Sequence, residues 1–268
     1  MPVTLIAPLS ALLYLAATAM QLLLSQQKKR EGISKSVFTL GVIAMALHSI
    51  IVWQTAFADR GVNLGFFKLS ALVFLVINLA CLTSLIRRPL QNLLLALFPL
   101  SALSVLVSTF APETRAATEN LDGGLLLHVS SSLLAYAILT LAAIQAGILA
   151  LQDYQLRHRH TSGIVQILPP LQLMESMLFE LLWIGVTLLT IAMISGFVFV
   201  DDIFAQHLAH KTVLTMIAWL LFSTLLWGHY RLGWRSSTAV RLTLAGFALL
   251  MLAFWGSKLV LELILQRT

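Results

Sequence analysis

The chain has 268 residues, a length that suits one or two soluble domains, but 59% of them are hydrophobic, only 10% are charged, and mean hydropathy is +0.92. Soluble domains run at about 45–50% apolar and about 25% charged, so a water-soluble enzyme, a disordered chain and a disulfide scaffold are excluded. What remains is an all-α polytopic membrane bundle, and its net charge of +6 reads as a topology signal with no nucleic-acid partner implied.

About 20 apolar residues cross a hydrocarbon core of about 30 Å. Eight stretches meet that length, at residues 4–24, 37–57, 68–86, 93–110, 125–151, 179–200, 212–230 and 242–263. The first has no charged n-region and no small-residue cleavage site before Gln26, so it reads as a retained helix. Between the stretches the charges sort by side. Lys28, Lys29, Arg30, Lys35, Arg87, Arg88, Arg157, Arg159, Arg231, Arg235 and Arg241 fall on one side, 11 in all, against 6 on the other. The poorer side carries most of the acids, among them Asp59, Glu113, Glu119, Asp122, Asp201 and Asp202. The positive-inside rule makes the basic side cytoplasmic and places both termini outside.

The longest connection, 152–177, holds Arg157-His158-Arg159-His160 and then Leu168-Pro169-Pro170-Leu171. The proline pair predicts a helix stop, with 171–182 then lying along the cytoplasmic interface. No soluble domain is inserted, so 1–268 reads as a single transmembrane domain. Cys81 stands alone in an apolar stretch and reads as a small core residue.

No Walker A loop, Rossmann fingerprint, nucleophile elbow or cysteine pair occurs. No catalytic constellation is visible, and binding chemistry falls to the histidines. His158 and His160 alternate with arginines and read as solvated loop residues. The other five lie in or beside spans, where ionisable groups are rare and tend to mark function. His128 opens the fifth span, followed by Ser130, Ser131 and Ser132, whose hydroxyls can hold a ring tautomer. His207 and His210 precede the seventh span at i, i+3, on one helix face. His48 sits near the middle of the second span, and His229 ends the seventh in Leu226-Trp227-Gly228-His229-Tyr230-Arg231.

These side chains form two levels: an outer group (His128, His207, His210) and an inner pair (His48, His229). Bis-histidine haem ligation in a helix bundle needs little more than facing imidazoles, so the four candidate iron ligands are His128, His210, His229 and His48. Trp219 and Trp227 are placed to flank a macrocycle. Lys211 and Lys258, near the outer face, suit haem propionates. Each has a plainer alternative: helix–helix hydrogen bonds for the histidines, interface anchoring for the tryptophans, snorkelling for the lysines.

Four segments carry a resemblance: Leu127-His128-Val129; Leu168-Pro169-Pro170-Leu171 followed by Ile194-Ser195-Gly196-Phe197; Gln206-His207-Leu208-Ala209-His210-Lys211-Thr212-Val213-Leu214 through Ala218-Trp219; and Leu226 to Arg231. The chain resembles the cytochrome c assembly membrane proteins of the CcsA, CcmC and HemX type, most closely the YpjD-like inner membrane proteins. The likeness covers nearly the whole chain and is densest over 121–258. It implies an inner-membrane protein that binds haem b without covalent attachment, for transfer, storage or cytochrome maturation, with cytochrome c maturation or haem-synthesis proteins as partners and no turnover of its own. It also implies that His128 is the outer ligand and His229 the transmembrane one, with His48 as its candidate partner. Two family features are absent. Residues 201–210 hold no tryptophan where the family has its WGxxWxWD platform, and no outer histidine follows the eighth span, which leaves His210 or His207 to partner His128. The competing class is a non-haem membrane scaffold, or a regulator of haem synthesis or of a neighbouring transporter.

Overall fold

The structure, a computed structural model, describes residues 2–26, 34–57, 65–85, 91–111, 123–158, 168–199 and 206–256. The apolar stretches are helices: α1 (Val3–Gln26), α2 (Lys35–Ala56), α3 (Phe66–Ser84), α4 (Leu94–Phe110), α5 (Gly123–Arg157), α6 (Leu171–Phe199), α7 (Gln206–Leu232) and α8 (Ser236–Met251). A 3-10 turn leads into α4, and a π turn, Leu252–Gly256, continues α8. Among the described residues, eight helices are long and apolar enough to cross a membrane, and none of these residues is in a strand. Most loop charges used for orientation lie outside the described residues, as do His160, Lys258 and the side chain of His207.

Two helices differ from the sequence expectation. α6 begins directly after Pro170 and runs unbroken to Phe199, so 171–182 is the first part of the spanning helix and no separate interfacial segment forms. The physical reason is that residues just before and within the first helical turn have no intrahelical use for their N–H groups, so prolines there start a helix as readily as they stop one. Met174, Met177, Leu178 and Phe179 are buried, and Gln145 of α5 donates Nε2 to the Met174 carbonyl at 3.1 Å. α5 extends to Arg157, where Asp153 and Arg157 pair at i, i+4. Its end is tied to the next connection by Gln152, whose Nε2 donates to the Pro169 carbonyl at 2.9 Å.

The helices group into two compact units, α1–α4 and α5–α8. In each, sequence neighbours pack together and the last helix closes back on the first. Short connections favour this up-and-down order. The second unit is also the region where the family resemblance is densest.

In the first unit, Ala7, Ser10, Tyr14, Ala17 and Gln21 repeat at three- and four-residue steps along α1 and are all buried. Val37, Gly41, Ala44, His48 and Ile51 repeat likewise along α2. Such spacing places each set on one stripe, and small members let two backbones approach. Ser10 Oγ donates to the Ala44 carbonyl at 3.0 Å across that seam. His48 is therefore buried by its register: Tyr14 Oη lies 3.3 Å from its Nδ1, and Phe98 packs against Tyr14 and over Gly41. Asn78 of α3 donates Nδ2 to Ser101 Oγ of α4 at 2.6 Å.

In the second unit, α5 presents Ser131, Ala135, Leu139, Ala142, Ala146 and Leu149 on one buried stripe, and α6 answers with Gly185, Leu189, Ala192 and Gly196. His128 stands one step beyond Ser131 on the α5 stripe, so its ring is turned toward α6.

Candidate functional site

At the end of the second unit where α5 begins and α6 finishes, the four helices leave a cavity of about 150 Å³, opening to about 840 Å³ of free space with its mouth included. Its wall comes from all four elements. α5 supplies His128, Ser132 and Tyr136, which follow one another at i, i+4 and i+8 and so share a face. α6 supplies Met193 and Gly196, α7 supplies Lys211 and Met216, and the π turn supplies Phe254.

His128 is held from behind. Its Nδ1 lies 2.7 Å from the carbonyl oxygen of Ala192. A carbonyl only accepts, so Nδ1 carries a proton, and in the neutral ring Nε2 is the nitrogen with the lone pair. The ring fits because residue 196 is glycine: a Cβ there would stand 2.9 Å from His128 Cε1 and 3.0 Å from Nδ1. The serines that follow do not hold the tautomer. Ser130 and Ser131 donate to the Leu127 carbonyl, as hydroxyls in helices commonly do.

Tyr136, also in the wall, donates its hydroxyl to the Leu250 carbonyl of α8. That bond sits just before the helix widens into the π turn, a geometry met where a group inserts into the helical ladder. The turn brings Phe254 onto Tyr136 at 4.9 Å between ring centroids. Lys211 Nζ stands 5.0 Å from the Phe254 ring centroid, a cation over an aromatic face. The cavity thus offers one imidazole, two thioethers, one cation and mostly apolar walls.

The remaining expected residues stand elsewhere. His210 is exposed and outside the cavity wall. Trp219 donates Nε1 to Thr190 Oγ1 of α6 at 2.8 Å, pinning α7 to α6, and Trp227 is exposed. The aromatic rings facing the cavity are Tyr136, Phe197 and Phe254 instead. His229 lies at the other end of α7. Its Nδ1 donates to the Trp234 carbonyl at 2.9 Å, and its ring stacks on Phe179 at 3.5 Å and 18°. It closes the α7–α8 turn together with Gly233, whose φ of 66° suits glycine, and Gly228, which packs under the Trp234 ring. His48 belongs to the first unit. Among the described residues, no three His, Cys, Asp or Glu side chains come together to hold a bare metal ion.

Fold and site together define an integral membrane helix bundle with a single-imidazole cavity at one end of its second unit. The chain belongs to the cytochrome C assembly protein family, whose profile matches residues 36–265. It is 32% identical to the inner membrane protein YpjD of Escherichia coli strain K12 over 262 residues, covering 96% of this chain and 99% of that protein. It is 26% identical to protein HemX of Brevibacillus brevis over 221 residues, 77% of this chain and 81% of that one. No solved structure matches the chain significantly. With eight helices among the described residues long and apolar enough to cross a membrane and an inner membrane relative along nearly its whole length, the protein is placed in the inner membrane.

Proposed function

We propose that the protein handles haem b, holding it without covalent attachment through His128 for transfer, storage or cytochrome maturation. The observation that carries this reading is the His128 imidazole, fixed by Ala192 with its Nε2 lone pair left for a ligand inside an apolar cavity. A bare ion needs three or four protein ligands, more than the cavity gathers. Haem brings four nitrogens of its own and needs only one or two axial groups, so one imidazole suits it. A backbone carbonyl on the far nitrogen is the usual device for orienting such a ligand. Lys211, at the same wall, is the cation for a propionate. When bound, haem would supply an iron centre for ligand or electron exchange; the chain's own residues bind it, orient it and exclude water from one side. The chemistry is binding rather than turnover.

The test is the absorbance of purified protein, oxidised and dithionite-reduced, before and after hemin is added. A Soret band with split visible bands on reduction is expected for the unaltered chain, and His128→Ala is expected to lose it. Protein that carries no haem from haem-replete cells and takes up none from hemin overturns the reading in favour of a haem-free scaffold or regulator. His229→Ala separates the two histidine levels. Because His229 locks a turn, this variant is expected to retain the Soret band while losing about 1–2 kcal/mol of stability, the cost of a partly buried hydrogen bond and its stack. Loss of haem with unchanged unfolding would move the site to His229.

A further inference from the structure

We infer that the thioether of Met216 is the second axial ligand to iron held by His128; this rests on the reading above that haem binds there. The ring order of the second unit sets the geometry. α5 packs on α6 and α8, and α7 packs on the same two helices, so α5 and α7 stand diagonally across the bundle. Axial ligands lie on opposite faces of a macrocycle, so the partner of a ligand on α5 belongs on α7.

The wall offers few donors. Lys211 is an ammonium over Phe254 and has no lone pair to give. The Tyr136 hydroxyl is committed to the Leu250 carbonyl. Neutral thioethers need no deprotonation and are established haem ligands opposite histidine, which leaves Met193 and Met216. Met193 follows Ala192 on α6, the helix behind His128. A Cβ at Gly196 of that helix would be 3.0 Å from the protonated Nδ1 but 3.8 Å from Nε2, so Nδ1 is the ring nitrogen turned to α6 and Nε2 the one set back from it. Met216 lies on α7, five residues beyond Lys211 and beside Thr215 on the cavity face. It is 37% exposed, and its three rotatable bonds give its sulfur the reach to turn inward. His210, the outer partner expected from the sequence, is not in the wall.

The experiment adds hemin to the full-length chain in detergent and reads the iron rather than any activity. The ferric form is expected to be low-spin, with the weak sulfur-to-iron charge-transfer band at the red edge of the visible spectrum. Met216→Leu, which conserves volume, is expected to abolish that band, convert the iron to high-spin and lower the midpoint potential, while the haem stays bound. Met193→Leu is expected to keep all three signatures. Met216→His is expected to restore the low-spin state at a lower potential, since exchanging thioether for imidazole removes the ligand that raises it. If Met216→Leu keeps the band, or the unaltered chain shows a bis-nitrogen spectrum, the inference fails and the haem reading stands. If no hemin binds at all, both fail.

Discussion

Gly196→Val is expected to weaken hemin binding by about 10- to 100-fold, nearly as much as removing the His128 imidazole, without unfolding the protein. The magnitude is that of losing a group that orients a metal ligand. The cause is steric. A Cβ at residue 196 would lie 2.9 Å from His128 Cε1 and 3.0 Å from Nδ1, well inside contact distance, and valine adds two methyls to it. The imidazole must rotate off α6. Doing so breaks the 2.7 Å bond to the Ala192 carbonyl, which fixes the tautomer and aims Nε2. Gly196 lies one turn from the end of α6, so displacement of one half-buried ring is the main consequence, and folding survives. Gly196→Ala is expected to give a smaller loss in the same direction. A hemin titration with a circular dichroism control decides it: wild-type affinity in Gly196→Val would show that the Ala192 bond does not prepare the ligand.

The spans were legible because hydrocarbon thickness and backbone hydrogen bonding leave a membrane helix almost no freedom. The ends were less so. Pro169-Pro170 reads as a stop in sequence and serves as a start in the fold, because only the position of a proline relative to the first turn distinguishes the two. That one ambiguity displaced the expected start of α6 from 171 to 179. In the site, alternation of the spans was enough to put His128 and Lys211 at one end of the second unit and His229 at the other. The wall of the cavity was only half visible. His128, Ser132 and Tyr136 are spaced for one face, a signal present in the sequence but masked by a run of three serines. Phe254 enters only through a π turn, and the group that holds the tautomer is a backbone carbonyl, which no residue type announces. Trp219 looked like a macrocycle neighbour because composition cannot say that its indole N–H is satisfied by Thr190 across the α6–α7 contact.

The largest stability effect is expected at Gly185, and it bears on the same imidazole. Gly185, Leu189, Ala192 and Gly196 follow one another at i, i+4, i+7 and i+11 on the buried stripe of α6, about three helical turns from end to end. A Cβ at Gly185 would stand 2.6 Å from Leu139 Cδ2 and 2.7 Å from Leu139 Cγ of α5. Both Gly185 and Leu139 are buried, so neither has room to give. Gly185→Leu is therefore expected to cost about 3 kcal/mol, the upper part of the range for an overpacked core. Gly147, on α5, is exposed and would meet nothing within 4 Å. There the same substitution is expected to be neutral or to stabilise by up to about 1 kcal/mol, because glycine is a poor helix former. Detergent or thermal unfolding of the two variants should thus move in opposite directions, and equal shifts would mean that helix propensity rather than close approach governs the seam. The consequence for function follows from rigidity. α6 forced away from α5 at Gly185 carries Ala192 and Gly196 with it, lengthening the bond that orients His128. The fraction of Gly185→Leu that remains folded is then expected to bind hemin more weakly than the Gly147→Leu protein does.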